Sequence, residues 1–164
     1  MKNTQRLLTW ILVAVLAVAT FALVACDDKP ETVVLDNLEL PQLDDDQAAI
    51  IIANRNDTYT VHVVTLGSKG TDATTVEGVL NYLKKLNLLD YAATDGWMDD
   101  IAGLNPDRSH EYVALYTSVT SDWDRSAYAN SYQIGEVTVT YSAYGISQMK
   151  FQAGALIYFQ IETF

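Results

Sequence analysis

The start of the chain most constrains what the rest can become. The first six residues carry two cations, Lys2 and Arg6, and no acid, and from Leu7 to Ala25 no residue is charged. A basic start, an apolar run and a small-residue end are the three parts of a secretory signal. An uncleaved anchor is the alternative, since about 20 apolar residues can span a bilayer. Both readings place residues after 26 outside the cytoplasm, so the fold is expected to be built there and without residues 1–25.

The run ends Leu23-Val24-Ala25-Cys26, which resembles the lipobox of bacterial lipoproteins. The resemblance implies that Cys26 is acylated and becomes the new N-terminus, anchoring the protein to the membrane through its lipid. Cys26 is the chain's one cysteine. With it lipidated, the mature chain has no thiol, no disulfide and no cysteine metal ligand, which suits an oxidising compartment. Removing residues 1–25 takes away two bases and no acid, so the net charge moves from −11 to −13. Such a surface disfavours polyanionic partners, nucleic acid above all.

Residues 26–47 include eight acids, among them Asp44-Asp45-Asp46, and alternate poorly around Val33–Leu40. They are expected to be an acidic tether that lifts the domain off the membrane, with partial order around Val33–Leu40. Three adjacent carboxylates point different ways and lack the spaced ligands of a calcium loop, so a solvated linker is the reading there.

The folded domain is expected over 48–164. Ala48–Ala53 is an unbroken apolar run, Asn54-Arg55-Asn56-Asp57 is a turn cluster, and Tyr59–Leu66 is rich in β-branched residues; together they predict a hairpin. Thr74-Thr75-Val76-Glu77 matches a capping box with Thr74 as cap. Val76, Val79, Leu80, Leu83 and Leu86 follow at helical spacing, predicting one helix over about 75–88. Tyr112–Val119, Val137–Tyr141 and Ala155–Phe164 read as strands, with a polar loop over 120–133. One helix on a small antiparallel or mixed sheet is an α+β plan, and about 115 residues suit one domain.

Several segments then look alike to a known family. They are Thr75-Val76-Glu77-Gly78-Val79-Leu80, Asp95-Gly96-Trp97-Met98-Asp99-Asp100-Ile101-Ala102-Gly103 and Tyr112-Val113-Ala114-Leu115-Tyr116-Thr117. Tyr144-Gly145-Ile146-Ser147 and Gln152-Ala153-Gly154-Ala155-Leu156-Ile157-Tyr158-Phe159 complete the set. Over residues 58–164 this resembles the transcobalamin C-terminal-like domain of bacterial surface lipoproteins. Tyr112 departs from that pattern, holding the place of a usual Trp, and residues 119–142 are longer than a simple hairpin needs. The resemblance implies a capture module, with a corrinoid as ligand and a membrane transporter as partner.

No catalytic residue is expected. His62 and His110 lie far apart in sequence and outside any metal or nucleophile motif, and without a thiol one class of nucleophile is gone. Asp95, Asp99, Asp100 and Asp107 near His110 offer oxygen ligands, but at no ligand spacing; no metal and no cofactor is assigned. The aromatic set is the informative one. Trp97, Tyr112, Tyr116, Trp123 and Tyr144 flank the family-like segments, and Tyr and Trp combine a large apolar face with a polar handle. They are the candidate ligand-binding residues, although aromatics also favour strands for packing alone. Trp123, in a polar loop between Asp122 and Asp124, is either a contact or a loop anchor. The function expected is non-catalytic capture of a small ligand, with a cell-surface protein-interaction or adhesion module as the alternative.

Cys26→Ser should release the protein from the membrane fraction or leave it unprocessed. A variant still cut after Ala25 that fractionates like the wild type would overturn the lipid assignment.

Overall fold

The computed structural model describes residues 32–35 and 37–164; the signal and Cys26 lie outside them. Nine strands and one α-helix follow in order. β1 is Val33–Val34, β2 Gln47–Ala53, β3 Tyr59–Thr65, and α1 is Val76–Lys85. Then come β4 (Tyr91–Thr94), β5 (Trp97–Ile101), β6 (Glu111–Thr117), β7 (Ser131–Ile134), β8 (Val137–Tyr141) and β9 (Leu156–Thr163). Seven strands make one mixed sheet in the order β1-β7-β8-β6-β9-β2-β3, and β4–β5 is a separate hairpin. β1 runs parallel to β7 and β2 parallel to β9; the other neighbours are antiparallel. The α+β plan of the sequence is the one observed.

The apolar run of β2 is explained by its position. It lies between β3 and β9, and both of its faces are covered. Ala48, Ile50 and Ile52 point to one core with Val113, Leu115, Ile157 and Phe159, while Ala49 and Ile51 point to a second. A strand covered on both sides has no polar face to show.

The first core lies under α1 and the β4–β5 hairpin. Val76, Val79, Leu80 and Leu83 form the buried stripe of the helix, as their spacing predicts, and Met98 and Ile101 of the hairpin complete the layer. The helix is shorter than the predicted 75–88, and its cap is Thr75 rather than Thr74. The Thr75 hydroxyl accepts from Gly78 N at 3.3 Å. No capping box closes on it, because the residue three beyond Thr75 is Gly78. Backbone carbonyls serve instead, Val76 N donating to Met149 O and Glu77 N to Ile146 O, each at 3.0 Å. Gly78 leaves room for the cap and its approach: a β-carbon there would stand 3.0 Å from the Ala73 side chain. At the other end Asn87 turns left-handed (φ 56°). Leu88 N donates to Leu83 O and Asn87 N to Lys84 O, a Schellman closure that stops the helix after Lys85.

The second core corrects the tether. From Val33 onward the segment belongs to the domain: Val33 and Val34 pair with Tyr132 and Gln133. Leu35, Leu38, Leu40 and Leu43 then lie across the sheet face opposite the helix, against Ala114, Tyr116, Ile134 and Tyr158. Glu39 and Asp44 to Asp46 stay exposed. The intervals between those leucines are three, two and three, matching neither the helical nor the strand period. β4 and β7 also lie where the sequence reading placed only turns and a polar loop.

Leu83→Ala should cost about 2–5 kcal/mol, the usual range for emptying a buried leucine site, as measured by urea denaturation. A loss under about 0.5 kcal/mol, no more than an ordinary surface substitution, would show that α1 does not bury that face.

Candidate functional site

Strand alternation decides which side chains share the face opposite the helix. Tyr112 and Tyr116 on β6, Tyr132 on β7, Tyr141 on β8, and Tyr158, Gln160 and Glu162 on β9 all fall on it. The rings meet directly. Tyr116 packs edge-on to Tyr132 at 4.9 Å and to Tyr141 at 5.5 Å between centroids, and Tyr132 lies 5.4 Å from Tyr158. In the sheet order β8 and β6 stand between β7 and β9, so a flat sheet would hold those strands about 14 Å apart. The sheet therefore curls, and its tyrosine face is the hollow one.

Glu162 collects the hydroxyls. Its carboxylate accepts from Tyr112 OH at 2.8 Å, from Tyr116 OH, and from Gln160 Nε2 at 2.7 Å, with Tyr132 OH at 3.5 Å. Tyr158 OH donates to Gln160 Oε1 at 2.8 Å, tying a fourth ring to the same network. Burial, then the Glu162 carboxylate, pushes the Tyr112 and Tyr116 phenols well above the usual tyrosine range. Tyr132, Tyr141 and Tyr158 shift the same way, chiefly through burial. These phenols are fixed as protonated donors.

At the rim of the hollow a cleft of about 330 Å³ opens between the β2–β3 turn and the end of β9. Leu35, Arg55, Thr58, Tyr59, Tyr158 and Gln160 are among its lining residues. Tyr59 tilts over Tyr158 at 6.5 Å, so the cleft has an aromatic wall and, through Tyr158 and Gln160, a polar floor leading to Glu162. The turn is held in place from outside. Arg55 donates to Leu104 O at 2.8 Å and to Asn105 O at 3.0 Å, and pairs with Glu111 at 2.6 Å. The Arg55 hydrogen bond holds the Glu111 carboxyl down to about 2.

The five predicted aromatic residues do not form one rim. Tyr112 and Tyr116 belong to the hollow face, where Tyr116 is fully buried among other rings. Trp97 lies on the opposite side, at the start of β5, 55% exposed, and Tyr144 is exposed as well. Their segments touch: Ile146 N donates to Gly96 O at 2.8 Å, and a β-carbon on Gly145 would meet that oxygen at 2.4 Å. Trp123 is a loop anchor, its Nε1 donating to Thr117 O at 2.7 Å at the far end of β6 from the cleft. Cys26 lies outside the described residues.

Tyr59, Tyr158, Gln160 and Glu162 were not singled out in the sequence. The signal was the pattern Tyr158-x-Gln160-x-Glu162, which puts two polar groups on the face that also carries a tyrosine. A strand face that is both aromatic and polar marks a hydrogen-bonded interior rather than a plain core.

No family model matches the sequence, and no curated protein matches it. Among solved structures, one similar chain is a "putative metal binding protein" of Ruminococcus gnavus ATCC 29149, at 12% identity and a TM-score of 0.47. The match covers 72% of this chain and 97% of that one.

Tyr116→Phe should cost about 1–3 kcal/mol, the usual range for a hydrogen bond to a charged group. In a Glu162→Ala background the same change should cost much less, because the acceptor is already gone. Equal costs in both backgrounds, measured by chemical denaturation, would show that the hydroxyl does not depend on Glu162.

Proposed function

We propose that the protein is an extracytoplasmic, lipid-anchored binding module that captures a small ligand without transforming it. The observation that carries this reading is the cleft between Tyr59 and Tyr158, an aromatic wall over a floor of fixed donors and acceptors. Concave sites with apolar walls and a few placed polar groups are where small ligands settle. The tyrosines beneath it, held protonated, commit their single protons to Glu162 and Gln160 and are poorly suited to take another. The ligand class that fits is a ring with a hydrogen-bonding edge. Clefts of about 300–1,000 Å³ enclose drug-sized ligands, and this one stands at the small end. A corrinoid, the ligand implied by the transcobalamin-like resemblance, would enter by one side group and leave its macrocycle outside. The lipobox and the acidic balance support an envelope location, with delivery to a membrane transporter as the role.

A second reading rests on a different observation. Trp97 and Tyr144 are exposed on adjoining segments on the other side of the sheet, and paired exposed aromatics suit a protein partner.

Calorimetric titration of residues 27–164 with cobalamin should give a saturable heat. Tyr59→Ala should weaken binding about tenfold, or 1.4 kcal/mol, and Trp123→Ala should leave it unchanged. No heat up to about 1 mM, where binding would be worth only about −4 kcal/mol, removes the corrinoid and leaves the protein-partner reading ahead.

A further inference from the structure

The path of the chain into the sheet limits how the domain can stand on a membrane. Five residues, 27–31, separate Cys26 from Thr32. Fully extended, six residue steps span about 20 Å. If the lipid on Cys26 is the anchor, as proposed above, Thr32 stays that close to the bilayer. The parallel pairing of β1 with β7 fixes which end this is. Val33 stands against Tyr132, beside the start of β7, and Thr32 lines a surface groove with Trp123, Arg125, Ala127, Ala129 and Ser131.

The segment forming that groove suits a headgroup layer. Tyr128 is 88% exposed, the most of any large hydrophobic side chain among the described residues, and Val33 and Val34 of the adjoining strand are exposed too. Loop 124–130 carries one base, Arg125, and one acid, Asp124. The Asp124 carboxylate accepts from Ser126 N at 2.8 Å and Ser126 Oγ at 3.1 Å. In a mature chain of net charge −13, this stretch carries no net charge, so it meets a zwitterionic surface with no uncompensated charge to desolvate. Tyrosine and arginine at such a site place an aromatic ring and a cation at headgroup level.

We infer that the 124–130 loop, with Tyr128 at its tip, is the face that rests on the bilayer. The partner is a zwitterionic lipid surface. β7 is antiparallel to β8, β8 to β6 and β6 to β9, while β2 runs parallel to β9, so the start of β7 and the β2–β3 turn share one end of the sheet and the β7–β8 turn marks the other. An eight-residue strand such as β9 puts about 25 Å between the two ends.

The test uses the full lipidated chain in phosphatidylcholine vesicles containing spin-labelled lipid. A fluorophore is attached through Tyr128→Cys or, separately, through Glu136→Cys in the β7–β8 turn at the far end of β7. Ala127→Cys is a second membrane-side site, in case the Tyr128 position is itself needed for seating. The unlabelled protein should float with the vesicles, and quenching at 128 and 127 should be several-fold stronger than at 136. Flotation with equal quenching at all sites, or with stronger quenching at 136, overturns the orientation while leaving the anchor intact. Failure of the wild-type chain to float overturns the anchor and the orientation with it.

Discussion

Of the five phenols on the hollow face, those of Tyr112, Tyr116, Tyr132 and Tyr158 are joined in one network, and an unpaired buried hydroxyl costs on the order of 1–3 kcal/mol. Glu162 serves three of them together with the Gln160 amide, and Gln160 accepts the fourth from Tyr158. Among the described residues no buried side-chain nitrogen or oxygen is left without a partner. The carboxylate in turn depends on the phenols, since an anion at a partly buried position needs strong donors around it. The network also ties β6, β7 and β9 together across β8, which meets β6 at only two residue pairs, Tyr116 with Tyr141 and Thr117 with Thr140. Where the backbone ladder is that short, the side-chain hub holds the curl.

The two faces of the sheet are built on different principles. Under α1 the contacts are aliphatic, and the helix is set by backbone groups of the 146–149 segment that accept from its first turn. On the hollow face the cover is an irregular stretch of chain whose leucines rest on tyrosine rings. It has no periodic pattern of its own, so its position follows from what lies below it. That dependence makes Leu35 at once a cover for the hollow and a wall of the cleft.

What was legible in the sequence follows the same division. The α1 stripe, the doubly buried β2 and the β2–β3 turn declare themselves because one period, or one continuous run, accounts for each. β7 was hidden in a polar stretch: it is four residues long, Ser-Tyr-Gln-Ile, and only Ile134 is fully buried. β4 was hidden likewise, its Tyr91 and Ala93 facing the core from an otherwise exposed strand. The leucines of 35–43 were masked by the acids in and after that stretch, of which Glu39 and Asp44 to Asp46 are exposed. The aromatic candidates flank the family-like segments in sequence, whereas the sheet separates Trp97 and Tyr144 from Tyr112 and Tyr116. Strand parity would have made that separation for Tyr112 and Tyr116, but it says nothing of loop residues such as Trp123, whose Nε1 is committed to a backbone carbonyl.

The strands also divide the molecule lengthwise. At one end is the β7–β8 turn, with the ends of β3 and β6 and the start of β9 toward the same side. At the other end are the β2–β3 turn, the 102–110 loop and the entry beside Thr32, with Arg55 bound to Leu104 O, Asn105 O and Glu111. A cleft that must present fixed groups to a ligand gains from such bracing, because groups already in place lose less freedom on binding. The 124–130 loop faces a softer demand, since a lipid surface imposes no particular shape on it. The braced β2–β3 turn is therefore the part that can discriminate between ligands, and the tyrosine–Glu162 network beside it extends that rigidity into the sheet.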